Sequence, residues 1–231
     1  MADVVQRRAP QALLFDLDGT LLDSLPGIRH SAMAAFAACG LDVCEDADLR
    51  QLIGPPIRGI LAQMAARPAS EEQLDALVRA FRESYDGEGW RITPHYEGAV
   101  ETLRMLKEQG RRLFVVSNKP RHISVRILEA EGSLELFEDV VTKDSRQPPY
   151  RNKREMMEYL LQKWALTAEE CWMVGDTIED AEAASHSNIR FCLMSHGYGD
   201  VPQGSAASVA FRLDHFSELV QVIARERSID R

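Results

Sequence analysis

Four apolar residues in a row, Ala12-Leu13-Leu14-Phe15, run straight into Asp16-Leu17-Asp18-Gly19-Thr20. A run without alternation predicts a strand covered on both faces, the habit of a parallel sheet inside an α/β domain. In such sheets ligands bind beyond the carboxyl ends of the strands, where this one releases two aspartates. Gly19 lets the chain turn sharply and brings backbone N–H groups near whatever binds there. Two carboxylates side by side repel unless a cation or a shared proton intervenes, so the pair implies a metal, acid–base chemistry, or both. A calcium loop of the EF-hand type would place glycine sixth and glutamate twelfth; here glycine is fourth and a buried strand leads in. A plain polar turn explains one aspartate beside a core strand, not two.

The same grammar returns twice. Arg112-Leu113-Phe114-Val115-Val116 ends in Ser117-Asn118-Lys119, and Cys171-Trp172-Met173-Val174 ends in Gly175-Asp176-Thr177 with Glu179-Asp180 following. Each reads as a short buried strand whose end turns polar and leads into a helix. Ser117 offers a hydroxyl and backbone donors suited to phosphate oxygens. Asp176 adds a third carboxylate, suited to a hard cation such as Mg²⁺.

Between the first strand and the next strand–helix unit lie four helix-like segments. Ser24 to Cys39 has Ser24 as a candidate cap, Pro26 in its first turn and Gly40 at its end. Asp46 to Ile53 stops at Gly54-Pro55-Pro56, Ile57 to Arg67 follows, and Ser70-Glu71-Glu72-Gln73 opens Ser70 to Asp86 as a capping box. Residues 20–92 therefore read as an all-helical insertion, and residues 1–19 with 93–231 as an α/β core. In the core, strands near Ala12–Asp16, Leu113–Ser117, Asp139–Thr142, Cys171–Gly175 and Arg190–Met194 alternate with helices, and Ser208–Leu213 adds an edge strand. That alternation predicts a doubly wound parallel sheet. Gly54 and Gly59 have the spacing of a nucleotide-binding loop, but neither a leading strand nor the Lys-Ser/Thr is present, so they read as a turn.

Composition narrows the partners. A net charge of −9 over 231 residues argues against nucleic acid or an anionic membrane. No apolar run approaches a membrane span, and Met1 to Pro10 lacks a signal-peptide core. Cys39, Cys44, Cys171 and Cys192 show no Cys-x-x-Cys spacing and read as reduced thiols of a cytoplasmic protein. The six histidines are scattered, and the tryptophans read as core.

The ordered motifs resemble the haloacid dehalogenase superfamily, in its phosphoglycolate phosphatase-like branch. Asp16 to Ser24 is similar to the first motif, Val116-Ser117-Asn118-Lys119 to the second, and Val174-Gly175-Asp176-Thr177-Ile178-Glu179-Asp180 to the fourth. The family's usual Lys-Pro pair is replaced by Pro148-Pro149-Tyr150-Arg151-Asn152-Lys153-Arg154, and Ser187-Asn188 stands where Ala-Gly is usual. The resemblance implies a Rossmann-like core with an inserted helical cap that closes over the site. It implies a phosphatase of small phosphorylated metabolites, phosphoglycolate-like first, working as a monomer or homodimer. A phosphate monoester carries about two negative charges at neutral pH, so an anionic nucleophile needs charge compensation. By resemblance Asp16 attacks and Asp18 protonates the leaving oxygen, through an aspartyl-phosphate. Mg²⁺ is the implied cofactor, held by Asp16, Asp176 and the backbone carbonyl of Asp18, with Asp180 a secondary candidate that orients a metal-bound water or the lysine. Ser117, Asn118 and Lys153 are implied for phosphate. Thr20, within the first motif, and Arg58, which with Arg50 is a basic residue nearest the Gly54-Pro55-Pro56 turn, are candidate substrate contacts, a solvated helix face being the favoured reading of either arginine.

Lys143 is the alternative motif lysine. Lys153 opens a helix, where a cation opposes the macrodipole unless an anion sits in front of it. Within enzymes, a phosphosugar mutase shares all four motifs. Outside them stands a phosphate- or partner-binding protein on a retired fold, for which the acid–base Asp18 has no use. The second aspartate is missing from the family's dehalogenases, and the cap lysine of its phosphonate-cleaving members is absent from Met33 to Arg67.

Overall fold

A computed structural model of the protein describes residues 9–44, 48–54 and 56–228. Along the chain run β1 (Ala12–Phe15), α1 (Leu25–Cys39), α2 (Leu49–Leu52), α3 (Ile57–Met64), α4 (Glu71–Gly87) and α5 (Ala99–Glu108). Then follow β2 (Arg112–Ser117), α6 (Arg121–Ala130), β3 (Asp139–Thr142), α7 (Lys153–Trp164), β4 (Cys171–Gly175), α8 (Ile178–His186), β5 (Arg190–Met194), β6 (Phe211–Leu213) and α9 (Phe216–Ser228). The chain divides into two compact units, one of Met1–Leu21 with His95–Arg231, the other Leu22–Pro94.

The first unit is a doubly wound α/β domain. Its six strands lie in the order β3-β2-β1-β4-β5-β6, and every pairing is parallel. β1 is central because all four of its residues are apolar and none is exposed. Alternate side chains serve opposite faces. Ala12 and Leu14 join Phe114, Val116, Met173, Met156, Met157, Leu160 and Ala184 in one core layer beneath α7 and α8. Cutting Leu14 to alanine would leave a cavity there, at a cost of about 2–5 kcal/mol. The edge strand is shorter than the segment Ser208–Leu213 read from sequence, since pairing with β5 begins only at Phe211. Asn188 turns the chain out of α8 at φ 55°, a left-handed conformation asparagine tolerates better than most residues.

The second unit is helical. α4 starts from a full capping box between Ser70 and Gln73, and α1 ends at Gly40 in the left-handed conformation. Three expectations change here. Ser24 adopts a helical conformation and its side chain makes no capping hydrogen bond; Asp23 Oδ1 accepts from Leu25 N at 3.4 Å instead, and a proline occupies the first turn of α1, at a position needing no N–H donor. α2 covers only Leu49–Leu52, capped by the Asp48 carboxylate on Arg50 N; the expected start at Asp46 lies outside the described residues. α3 stops at Met64, short of Arg67, because the backbone turns extended at Ala65 and residues 64–66 pair with residues 42–44. Cys44 N donates to Met64 O at 2.8 Å, Ala66 N donates to Asp42 O at 3.0 Å, and Val43 bridges Ala65. Among the described residues no helix is long and apolar enough to cross a membrane.

Candidate active site

Strand order builds the site. β1 lies between β2 and β4, with Phe15 in register with Val115 and Val174. Asp16, Ser117 and Asp176 therefore emerge from three adjacent strand ends, and Asp16 N still donates to Val174 O at 3.0 Å.

Asp16 and Lys153 are both nearly inaccessible to water, and Lys153 Nζ lies 2.8 Å from Asp16 Oδ2. The same ammonium donates to Asp180 Oδ1 at 2.5 Å. Asp180 is fixed in turn, its Oδ2 accepting from Thr177 N at 3.1 Å and Thr177 Oγ1 at 2.7 Å at the start of α8. Asp180 is thus in direct contact with the lysine. Lys143, at the end of β3, is only partly buried, so Lys153 is the lysine brought to Asp16.

Asp176 is gripped from three sides. Thr20 Oγ1 donates to its Oδ1 at 3.0 Å, and the backbone N–H groups of Tyr198 and Gly199 donate to Oδ2 at 2.8 and 3.3 Å. Close approach by backbone makes this possible. A Cβ on Gly19 would lie 2.3 Å from Asp176 Oδ2, and one on Gly197 2.2 Å from Asp176 Cβ. Thr20 is itself held, its carbonyl 3.1 Å from His196 Nε2, whose ring lies against Tyr96.

Asp16, Asp176 and Asp180 each offer a carboxylate oxygen within 4.8 Å of the others. Asp16 Oδ1 is buried without a hydrogen-bond partner, and such a group costs free energy unless a ligand or ion completes it. The donor set is all oxygen and suits a hard divalent cation, so these residues fit a metal. Burial, with repulsion from Asp180 and Asp176 opposing the attraction of Lys153, pushes the Asp16 carboxyl up to about 8. Burial and Asp180 push Asp176 up to about 6 against the N–H donors of Tyr198 and Gly199. Burial lowers the pKa of Lys153, but Asp16 and Asp180 more than reverse this and keep it cationic.

Asp18 stands apart from that cluster. Its side chain is 23% exposed, and Oδ1 accepts from Lys119 Nζ at 2.9 Å. Ser117 is buried at the end of β2, its Oγ accepting from Lys119 N at 3.3 Å. Asn118 directs its amide Nδ2 to both Glu179 oxygens at 3.1 Å. Arg58 belongs to the helical unit and is engaged there, with Asp75 Oδ1 and Glu71 Oε2 each at 2.5 Å.

Lys119 closes the second motif, and nothing in the sequence around it marks a role for it. His196-Gly197-Tyr198-Gly199, the loop that cradles Asp176, belongs to none of the motifs. The signal for that loop was present: two glycines flank Tyr198 just beyond an apolar strand, the position at which a parallel sheet meets its ligand.

A doubly wound sheet that gathers buried aspartates and a lysine at its strand ends has a counterpart among known proteins. The family model of haloacid dehalogenase-like hydrolases matches residues 13–194, and the chain belongs to that family. It is an enzyme of this hydrolase class. Among its relatives, a phosphoglycolate phosphatase of Vibrio parahaemolyticus is 31% identical over 218 residues, covering 92% of this chain and 95% of that protein. The tyrosine-protein kinase PtkA of Mycobacterium tuberculosis is 32% identical over 191 residues, covering 83% of this chain and 64% of that protein. The crystal structure of a predicted phosphoglycolate phosphatase from Haemophilus somnus superimposes with a TM-score of 0.82 at 26% identity, covering 93% of this chain and 98% of that one.

Proposed function

We propose that this chain is a Mg²⁺-dependent phosphatase of small phosphorylated metabolites, with phosphoglycolate-like esters first among its substrates. One observation carries the reading. Asp16 is a buried carboxylate at a strand end, with one oxygen fixed by Lys153 and the other without a hydrogen-bond partner. A purely structural carboxylate would have both oxygens satisfied. The phosphoglycolate phosphatase relative, alike over nearly its whole length, supports the substrate class.

Asp16 attacks phosphorus and displaces the alcohol oxygen, leaving an aspartyl-phosphate. Asp18 donates a proton to the departing oxygen, then takes one from the water that releases inorganic phosphate, a role typically worth about 10²–10⁴ in rate. Ser117, Asn118 and Lys153 hold the phosphoryl oxygens, and the lysine offsets part of their charge. Asp16, Asp176 and the backbone carbonyl of Asp18 are the groups that would hold Mg²⁺, which when bound supplies positive charge against the phosphate. The helical unit acts as the cap that excludes water during the reaction. The four unpaired thiols suit a cytoplasmic setting.

Incubating the purified protein and Mg²⁺ with a panel of phosphorylated metabolites tests this reading. Release of inorganic phosphate, lost on EDTA and restored by Mg²⁺, is the expected result. An isomerised sugar phosphate without phosphate release would establish the mutase reading instead. Binding without turnover would point to a retired enzyme.

A further inference from the structure

We propose that Lys119 is a positioning residue for Asp18, an inference that rests on the phosphatase reading. Lys119 Nζ lies 2.9 Å from Asp18 Oδ1, and the lysine side chain is only 5% exposed against 23% for the aspartate. Burying an ammonium is costly unless its charge is met, and the acid–base carboxylate stands within ion-pair distance to meet it.

The backbone of Lys119 is fixed from both sides. Its N–H donates to Ser117 Oγ at 3.3 Å, and its carbonyl accepts from Ser124 Oγ at 3.4 Å. Pro120 follows and limits the chain further. Asp18, by contrast, sits in a turn beyond β1 and is partly open to solvent, and the Lys119 ammonium is a buried group that grips its carboxylate. The lysine transfers the rigidity of β2 to that carboxylate. Lys119 and Lys153 thus divide the work: one ammonium on the nucleophile Asp16, the other on the acid Asp18. A proton donor misplaced by about 1 Å can cost about 100-fold in rate.

The inference predicts a dependence on leaving group. Alkyl phosphates need a proton on the departing oxygen, whereas 2,4-dinitrophenyl phosphate does not. The ratio kcat/KM reports events up to formation of the phosphoenzyme, which isolates the acid step from the later attack of water. For Lys119→Met, kcat/KM on an alkyl phosphate should fall about 100-fold and on the dinitrophenyl ester far less. Lys119→Arg should restore much of the alkyl activity, and affinity for inorganic phosphate should stay within about threefold of wild type. In an Asp18→Asn background, adding Lys119→Met should cause no further loss, because the two act as a unit. Should Lys119→Met not fold, Lys119→Gln takes its place in the same comparison. An equal fall on both esters, or a matching loss of phosphate affinity, would overturn the inference and make Lys119 a phosphate ligand or a structural residue. A wild type inactive on every ester would overturn the phosphatase reading and this inference with it; an active wild type with an unchanged ester ratio in the variant would overturn this inference alone.

Discussion

Asp180 Oδ1 lies 2.5 Å from Lys153 Nζ while its Oδ2 caps the first turn of α8 through Thr177. The helix start and the lysine are therefore braced by one carboxylate, and the lysine reaches Asp16 from that brace.

Lys153→Ala should abolish most turnover and most affinity for phosphate mimics. It should also cost about 3–5 kcal/mol of stability in the metal-free protein, because Asp16 and Asp180 lose their buried counter-charge. Lys143→Ala should do little to either. Phosphate-release assays and denaturant melts of the two variants decide the matter. The reverse pattern would give the motif role to Lys143.

The strands and the carboxylates of this site were legible because their signals are local. Uninterrupted apolar runs that end in Asp16, Ser117 and Asp176 mark buried parallel strands, and parallel pairing then makes their ends neighbours. The order of the family's motifs favoured Lys153 despite the missing Lys-Pro pair, and a cation opening a helix fits an anion ahead of it; Lys153 does lie beside Asp16. The partner of Asp18 was not readable. Lys119 lies 101 residues away, and no local periodicity reports which side chains two loops bring together. The failure at Ser24 has another cause: Ser24 is already helical, and the side chain that meets the first N–H of that helix is Asp23, one residue earlier, whose Oδ1 accepts from Leu25 N at 3.4 Å. α3 ended early because a pairing with residues 42–44 outweighed helix propensity.

The raised carboxyls of Asp16, to about 8, and Asp176, to about 6, give the metal-free protein a definite pH dependence. A carboxyl raised above its unfolded value of 3.8 contributes stability that is full below that value and lost as pH rises through the folded one. The metal-free protein should therefore melt at lower temperature at about pH 8 than at about pH 5. Asp16→Asn should flatten that slope. Mg²⁺ binds the ionised groups, so its affinity should climb as pH rises through the same window, with release of protons. Calorimetry in buffers of different ionisation enthalpy measures the protons. Affinity independent of pH would place the ion away from Asp16 and Asp176.

The cradle of Asp176 predicts an effect of one methyl group. A Cβ on Gly197 would sit 2.2 Å from Asp176 Cβ and 2.5 Å from its Oδ2, so Gly197→Ala must push the carboxylate aside. Overpacking of this kind costs about 1–3 kcal/mol, and a displaced ligand should weaken Mg²⁺ affinity about 10–100-fold. Thr20→Val removes the hydrogen bond to Asp176 Oδ1 without crowding; it should weaken Mg²⁺ by a similar factor and cost about 1–3 kcal/mol in the metal-free protein, because a buried carboxylate oxygen loses its donor. Titration of activity against Mg²⁺ concentration measures both. Unaltered Mg²⁺ dependence in the two variants would separate Asp176 from the metal.

Covalent chemistry at Asp16 is the central claim, and trapping the phosphoenzyme tests it most directly. Asp18→Asn should still form the intermediate from 2,4-dinitrophenyl phosphate, whose leaving group needs no proton, but should hydrolyse it slowly for want of the base. Denaturing that reaction and reducing it with borohydride converts an aspartyl-phosphate to homoserine, located by peptide mass spectrometry. The predicted result is homoserine at position 16, dependent on both substrate and Mg²⁺ and absent from Asp16→Asn. Homoserine at another position, or an unmodified Asp16 in protein that is phosphorylated elsewhere, would contradict it.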